Sequence, residues 1–178
     1  MGHDRVERLV EDLGRLHPDI SVAHKEVAAR LLRLSDVVER YYDSICERFD
    51  VSLSGMGVLT ALARSAPREL TLAELNRDIL VTSGGITFVA ARLERQGLLS
   101  KRSNPADGRA VLVQLTRKGR KVANELIDAI AHADTAALGA FDANELSAIN
   151  SVLTSLQNRF ETTTTDERGV TVTGSPPA

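Results

Sequence analysis

The residues of this chain best equipped for chemistry are hydrogen-bond donors and cations gathered between Thr82 and Arg109. Thr82, Ser83 and Thr87 offer hydroxyls, and Arg92, Arg95, Lys101 and Arg109 carry positive charge. Gly84, with Gly85 after it, either lets a backbone approach a ligand closely or simply makes a weak first helical turn. Groups of this kind hold phosphates and read base edges. Arg109 follows Asp107-Gly108, a turn-forming pair, and an arginine at a hairpin tip suits the narrow, negatively charged minor groove of DNA. Asp107 is placed to hold that arginine by a charge-assisted hydrogen bond or to cap the turn. The alternative is a solvated turn arginine. Phe88 falls on the outward face with Thr87, where an aromatic either touches a thymine methyl or packs against the hairpin.

Other chemistries have less to stand on. The four histidines, His3, His17, His24 and His132, are scattered without metal-ligand spacing. No serine lies in a nucleophile elbow, and Ser83-Gly84-Gly85 opens a helix after another helix, unlike a phosphate-binding loop. Neither an enzyme, a cofactor nor a metal site is expected. The single cysteine, Cys46, excludes an intramolecular disulfide and fits a reducing cytoplasm. It sits on an apolar stripe with Tyr42 and Phe49, as a core thiol would, although a peroxide-sensing thiol is the other reading. No apolar run approaches the roughly 18 residues needed to cross a bilayer, and no signal-peptide core follows Met1.

Charge resolves along the chain. The 178 residues carry a net charge of −2, but residues 68–121 hold 11 Lys or Arg against 5 Asp or Glu, a local net of +6. A basic middle between acidic flanks is expected where only the middle faces phosphates. Hydrophobic residues make up 43% of the chain and aromatics only 3%, so closely packed helices rich in Ala and Leu are expected.

The elements that must position these residues are legible from period and punctuation. A charged amphipathic pattern over residues 4–16 stops at His17-Pro18. Ser21 is a plausible cap for a long helix from about Val22 to Phe49. That helix is apolar on two faces, one through Val27, Leu31, Leu34, Val38, Tyr41 and Ile45, the other through Ala28, Leu32, Tyr42, Cys46 and Phe49. It must therefore be covered twice, most economically by its own domain and a partner subunit. A helix over Ser54–Ser65 precedes a possible short strand at Glu69-Leu70. Thr71 and Glu74 form a capping box for the first helix of a helix-turn-helix. Thr82 or Ser83 then caps a recognition helix that buries Ile86, Val89, Ala90 and Leu93 and ends at Gly97. Strands Leu98–Ser103 and Ala110–Thr116 flank the loop Asn104–Arg109, with Val111, Val113 and Leu115 pinning the hairpin. Thr116 caps a helix to about Ala140, and Asp142 with Glu145 caps a last one to about Phe160. Its seam is Leu146, Ile149, Val152 or Leu153, Leu156 and Phe160. The Thr-, Gly- and Pro-rich end lacks helical period.

The resulting expectation is a mainly α chain: a winged helix-turn-helix with long N- and C-terminal dimerisation helices. Its divisions are an N-terminal extension helix over 1–20, a dimerisation helix over 21–50, the DNA-binding domain over 51–116, C-terminal dimerisation helices over 117–161 and a disordered tail over 162–178.

That order of elements, with the stretch TSGGITFVAARLERQGLLSKRSNPADGRAVLVQLTRKG from Thr82 to Gly119, resembles the multiple-antibiotic-resistance regulator (MarR) family of bacterial transcription factors. The likeness covers roughly Val22 to Phe160. It rests on the Ser/Thr-rich helix start, Arg92-Leu93-Glu94 with Gly97, the Asp107 and Arg109 pair, and Leu115-Thr116 with Gly119. The resemblance implies a homodimer acting on double-stranded DNA as a ligand-responsive repressor at a pseudo-palindromic operator, with each recognition helix in a major groove and each Arg109 at a minor groove. It also implies a small phenolic or carboxylic effector near Tyr41, Tyr42 and Met56. A winged-helix protein–protein module with weak or no DNA binding is the alternative. The chain departs from the family in Phe88-Val89-Ala90-Ala91, where relatives carry polar or basic residues, and in Gly108, where a second arginine is common. The extension before Pro18 is similar to that of the urate-responsive branch. Leu13 stands where that branch has a tryptophan, and Gly57 aligns with its ligand-binding aspartate.

Overall fold

The computed structural model describes residues 4–19, 21–66, 69–79, 85–105, 107–165 and 171–173. Helix α1 (Arg5–Leu16) starts at a capping box in which the Asp4 side chain accepts from the Val6 and N3 amides while Glu7 reaches back to the Asp4 N–H. It lies along α2 (Val22–Cys46), burying Val6, and Arg30 of α2 donates to Asp4 at 2.6 Å. That guanidinium holds the Asp4 carboxyl below its ordinary value. The tie is therefore present at neutral pH and is lost as pH falls through the lowered folded value. Ser21 occupies the N-cap position of α2 but makes no side-chain capping bond. The helix tightens into a 3₁₀ turn (Glu47–Phe49) and stops at Asp50, whose φ of 54° is left-handed.

Helix α3 (Leu53–Ser65), capped by Ser52, is the centre of the core: Val58 and Leu59 are fully buried. Strand β1 (Leu70–Thr71) follows, then α4 (Leu72–Asp78) behind the Thr71–Glu74 capping box, with the Thr71 hydroxyl accepting the Glu74 amide at 3.2 Å. Helix α5 (Ile86–Arg95) leads into β2 (Leu99–Asn104) and β3 (Asp107–Leu115). The sheet is antiparallel in the order β1-β3-β2, with Leu70 opposite Val113 and Leu99 opposite Leu115. Alternation puts Val113 and Leu115 into the core. Val111, expected to pin the hairpin with them, is 37% exposed because the core ends before it.

Helix α6 (Arg117–Leu138) completes this core with Ala123 and Leu126. The chain divides into two units, residues 1–131 and 132–178. In the second, Asp142 and Glu145 form the capping box of α7 (Ala143–Thr162). Along α7 Ile149, Val152, Leu153 and Phe160 are exposed. The tail was expected to lack regular structure, but β4 (Thr163–Thr165) pairs antiparallel with β5 (Thr171–Thr173).

A single junction joins α5, the hairpin and α6. The Thr116 hydroxyl donates to the Gly97 carbonyl at 2.7 Å and accepts the Gly119 N–H at 2.9 Å. The Thr116 N–H donates to the Leu98 carbonyl at 3.0 Å. Gly119 fits only because it has no Cβ, which would overlap the Leu98 carbonyl oxygen. Gly119→Ala should therefore cost about 1–3 kcal/mol of stability, as overpacking of a tight site does, read as a lower midpoint in chemical denaturation. An unchanged midpoint would show that the junction yields freely.

Cys46 lies at 0% exposure in the core cluster, and burial, reinforced by the nearby Asp43 charge, pushes its thiol up to about 11. At pH 8 only about one thiol in a thousand would be ionised, and the thiolate is the reactive form. Ellman's reagent should leave the native protein unlabelled over minutes and label it fully in denaturant. Rapid native labelling would reverse the core reading.

Candidate nucleic-acid interface

Helix α5 presents two chemically distinct faces. Val89, Ala90 and Leu93 are buried at 9, 0 and 2% exposure, while Thr87, Phe88, Arg92 and Arg95 face outward. Phe88 at 68% exposure does not pack on the hairpin. With Arg92 and Arg95 it forms a stripe at i, i+4 and i+7, an aromatic followed by two guanidiniums along one edge of the helix.

The start of this helix differs from expectation. Its N-cap is Gly85, at φ 86° and ψ 63°, not Thr82 or Ser83. No side chain caps it; the Gly85 carbonyl accepts from the Phe88 N–H at 2.7 Å and from the Val89 N–H at 3.1 Å. A left-handed backbone suits glycine and breaks any continuous helix through this point. Thr82, Ser83 and Gly84 lie outside the described residues.

The helix ends as the sequence suggests. Gly97 has φ 72°, its N–H donates to Glu94 at 2.8 Å and the Leu98 N–H donates to Leu93 at 2.9 Å. These two bonds are a Schellman closure, and they set the angle at which the chain enters β2.

The hairpin is longer and less regular than expected. Its strands reach Asn104 and Asp107, leaving a shorter turn than Asn104–Arg109. Ser103 pairs with Val111 and Asn104 with Asp107, so Gly108, Arg109 and Ala110 are extra on β3. Arg109 thus sits in a bulge of strand β3, with Asp107 in the pair that closes the hairpin. Bulges re-aim side chains and add local twist.

Two ion pairs brace the hairpin. Lys101 Nζ is 2.9 Å from Glu94 Oε2, with the Lys101 side chain only 19% exposed. This places Lys101 between β2 and α5, its charge matched within the fold by Glu94. Arg102 makes a two-armed contact with Glu69, one arm at 2.9 Å, which holds the Glu69 carboxyl below its ordinary value.

Sequence reasoning passed over Asp50 and Gln96. Gln96 Nε2 donates to the Asp50 carbonyl at 2.7 Å and to its carboxylate at 3.1 Å, and Arg92 Nη2 lies 3.6 Å from Asp50 Oδ1. These partners are 46 and 42 positions apart, so no local pattern marks them. The only prior signal was that aspartate tolerates a left-handed turn.

Tyr41 and Tyr42 lie together, ring centroids 6.1 Å apart and planes tilted by 34°. Tyr41 is 38% exposed, while Met56 at 9% belongs to the core. A cleft of about 370 Å³ lies elsewhere, lined by Asp43, Glu47, Asp50, Val51, Ser52 and Arg92. Among the described residues no group of His, Cys, Asp and Glu could hold a metal ion, and no helix is long and apolar enough to cross a membrane.

A sequence model of the MarR family matches residues 49–110, from the turn after α2 to the bulge of β3. The uncharacterized HTH-type transcriptional regulator YkoM of Bacillus subtilis is 30% identical over 114 residues, 60% of this chain and 70% of that protein. The HTH-type transcriptional regulator PecS of Dickeya dadantii is 24% identical over 149 residues, 83% of this chain and 90% of its own. Among solved structures, a complex of S. aureus MepR with DNA superposes with a TM-score of 0.67 at 18% identity, over 74% of this chain and 96% of MepR. Bordetella bronchiseptica BpsR, in a structure concerned with regulation of its DNA binding by 6-hydroxynicotinic acid, gives 0.65 at 23%, over 74% and 92%. The two-faced helix α5, its Schellman exit and the braced hairpin are thus a winged helix-turn-helix, and the chain belongs to the MarR family of DNA-binding transcriptional regulators.

Proposed function

We propose that the chain is a ligand-responsive repressor, working in the cytoplasm as a homodimer on a pseudo-palindromic operator. The observation that carries the DNA-facing part is the outward stripe of Phe88, Arg92 and Arg95 on α5, whose opposite face is wholly core. The helix enters the major groove, Thr87 and Phe88 read base edges, and Arg109 on the bulged strand reaches the minor groove with Asp107 orienting it. Thr82, Ser83 and Gly84 precede the helix and meet the phosphate backbone. Half-sites lie about one helical turn apart.

Arg109→Ala should weaken operator binding by about 1–3 kcal/mol and leave the melting temperature unchanged. Affinity of the parent should fall steeply with salt in an anisotropy titration. A flat salt dependence would favour the alternative, a winged-helix module for protein partners. An Arg109→Ala protein that binds as well as the parent would remove the hairpin from the interface.

Exposed apolar side chains support the dimer: Val27, Leu32 and Leu34 on α2 and Val152 and Phe160 on α7 are 46–72% exposed in the single chain. Water contact over a surface of this kind is unfavourable unless a partner covers it. Sedimentation at micromolar concentration should therefore give a dimer; a stable folded monomer would contradict this reading.

For the effector, a small phenolic or carboxylic molecule near Tyr41, Tyr42 and Met56 fits best. The 6-hydroxynicotinic acid of the BpsR study is a carboxylic acid on a hydroxylated aromatic ring. Helix α1 is in keeping with kinship to the urate-responsive branch, but urate itself does not suit this chain. Leu13 lacks an aromatic ring, and any side chain at buried Gly57 would meet Ile79 Cγ2 at 2.5 Å, leaving no room there for a carboxylate.

A further inference from the structure

Among the described residues lining the cleft between the end of α2 and α5, Arg92 is the only cation, and the other charged ones are Asp43, Glu47 and Asp50. Its guanidinium lies 3.6 Å from the Asp50 carboxylate. That separation is too long for a good hydrogen bond, so the attraction is mainly coulombic. Both groups reach water, with side chains 47% and 85% exposed, so the pair is weak and readily exchanged. A phosphate oxygen offers the same guanidinium a shorter, charge-assisted contact.

Asp50 is also fixed in place. It holds φ 54° at the end of the 3₁₀ turn, its N–H donates to Glu47 at 3.1 Å, and its carbonyl and carboxylate both accept from Gln96. The Gln96 carbonyl in turn accepts from Lys118 Nζ at 2.9 Å. The carboxylate is therefore held beside the outward stripe of α5 by contacts that do not involve Arg92.

We propose that Asp50 is a positioning residue that sets the affinity of this protein for DNA: its carboxylate draws Arg92 toward the cleft and competes with the DNA backbone for that guanidinium. Binding then proceeds by exchange of Arg92 from carboxylate to phosphate. The inference rests on the reading that the Arg92 face of α5 meets DNA. Because the contact at stake is with phosphate, the effect is independent of base sequence.

Asp50→Asn tests this. Asparagine tolerates the left-handed turn and retains an oxygen for Gln96, yet carries no charge. The variant should bind operator and unrelated duplex alike about two- to five-fold more tightly at low salt, the scale of an exposed ion pair. The slope of log affinity against log salt should steepen by up to about 0.9, one further phosphate neutralised. Asp50→Gly, which removes the carboxylate and relieves the positive φ, should give the same gain and guards against a folding defect in the first variant. Arg92→Ala should flatten the salt slope, and adding Asp50→Asn to it should change nothing further. Asp50 variants that bind no better than the parent, or that gain equally in the Arg92→Ala background, would overturn the proposal. If Arg92→Ala leaves affinity and slope untouched, the DNA-facing assignment of Arg92 falls with it; a weakened Arg92→Ala beside inert Asp50 variants leaves that assignment standing and refutes only the competition.

Discussion

The Thr116 hydroxyl stands between three elements that would otherwise be independently placed. It donates to the Gly97 carbonyl just past the end of α5 and accepts an amide of the first turn of α6 from Gly119. One side chain thereby satisfies a carbonyl just beyond one helix and a first-turn amide of another. The approach is close enough that Gly119 sits against the Leu98 carbonyl with no room for a methyl group. The hairpin leaves this point and returns to it. The angle between α5 and the β2–β3 ribbon is therefore held by hydrogen bonds at this junction as well as by the apolar core, which ends before Val111.

Outside that junction, the fold uses local charge matching to brace what hydrophobic burial does not reach. Lys101 with Glu94 and Arg102 with Glu69 fasten the two faces of β2 to α5 and to the approach of β1. Pairs with this much exposure add little stability each. They do choose one orientation of the hairpin over its neighbours, and they match two of the basic middle's cations within the fold. The local net of +6 already counts Glu69 and Glu94 against these two cations.

Most of the architecture was legible because its determinants are local. Capping boxes at Thr71–Glu74 and Asp142–Glu145, the left-handed Gly97 and the alternation through Val113 and Leu115 each depend on residues within a few positions of one another. The beginning of α5 was misjudged for a complementary reason. Thr82 and Ser83 have the right side chains for a cap, but the backbone at Gly85 adopts φ 86°, and two adjacent glycines do not reveal which will turn. The shortened hairpin turn was missed because Asp107-Gly108 is as good a turn as it is a bulge. Asp50 and Gln96 were invisible, since a contact across 46 residues leaves no periodic trace.

The bulge at Gly108–Ala110 has an evolutionary consequence. Those three residues lie on one strand only, beyond the last core pair and outside the register that joins Leu99 to Leu115 and Lys101 to Val113. Codons could be gained or lost there without shifting any pairing below it. Hairpin reach and fold integrity are thus separately heritable: a lineage can lengthen or shorten the arm that bears Arg109 while inheriting the rest of the domain unchanged.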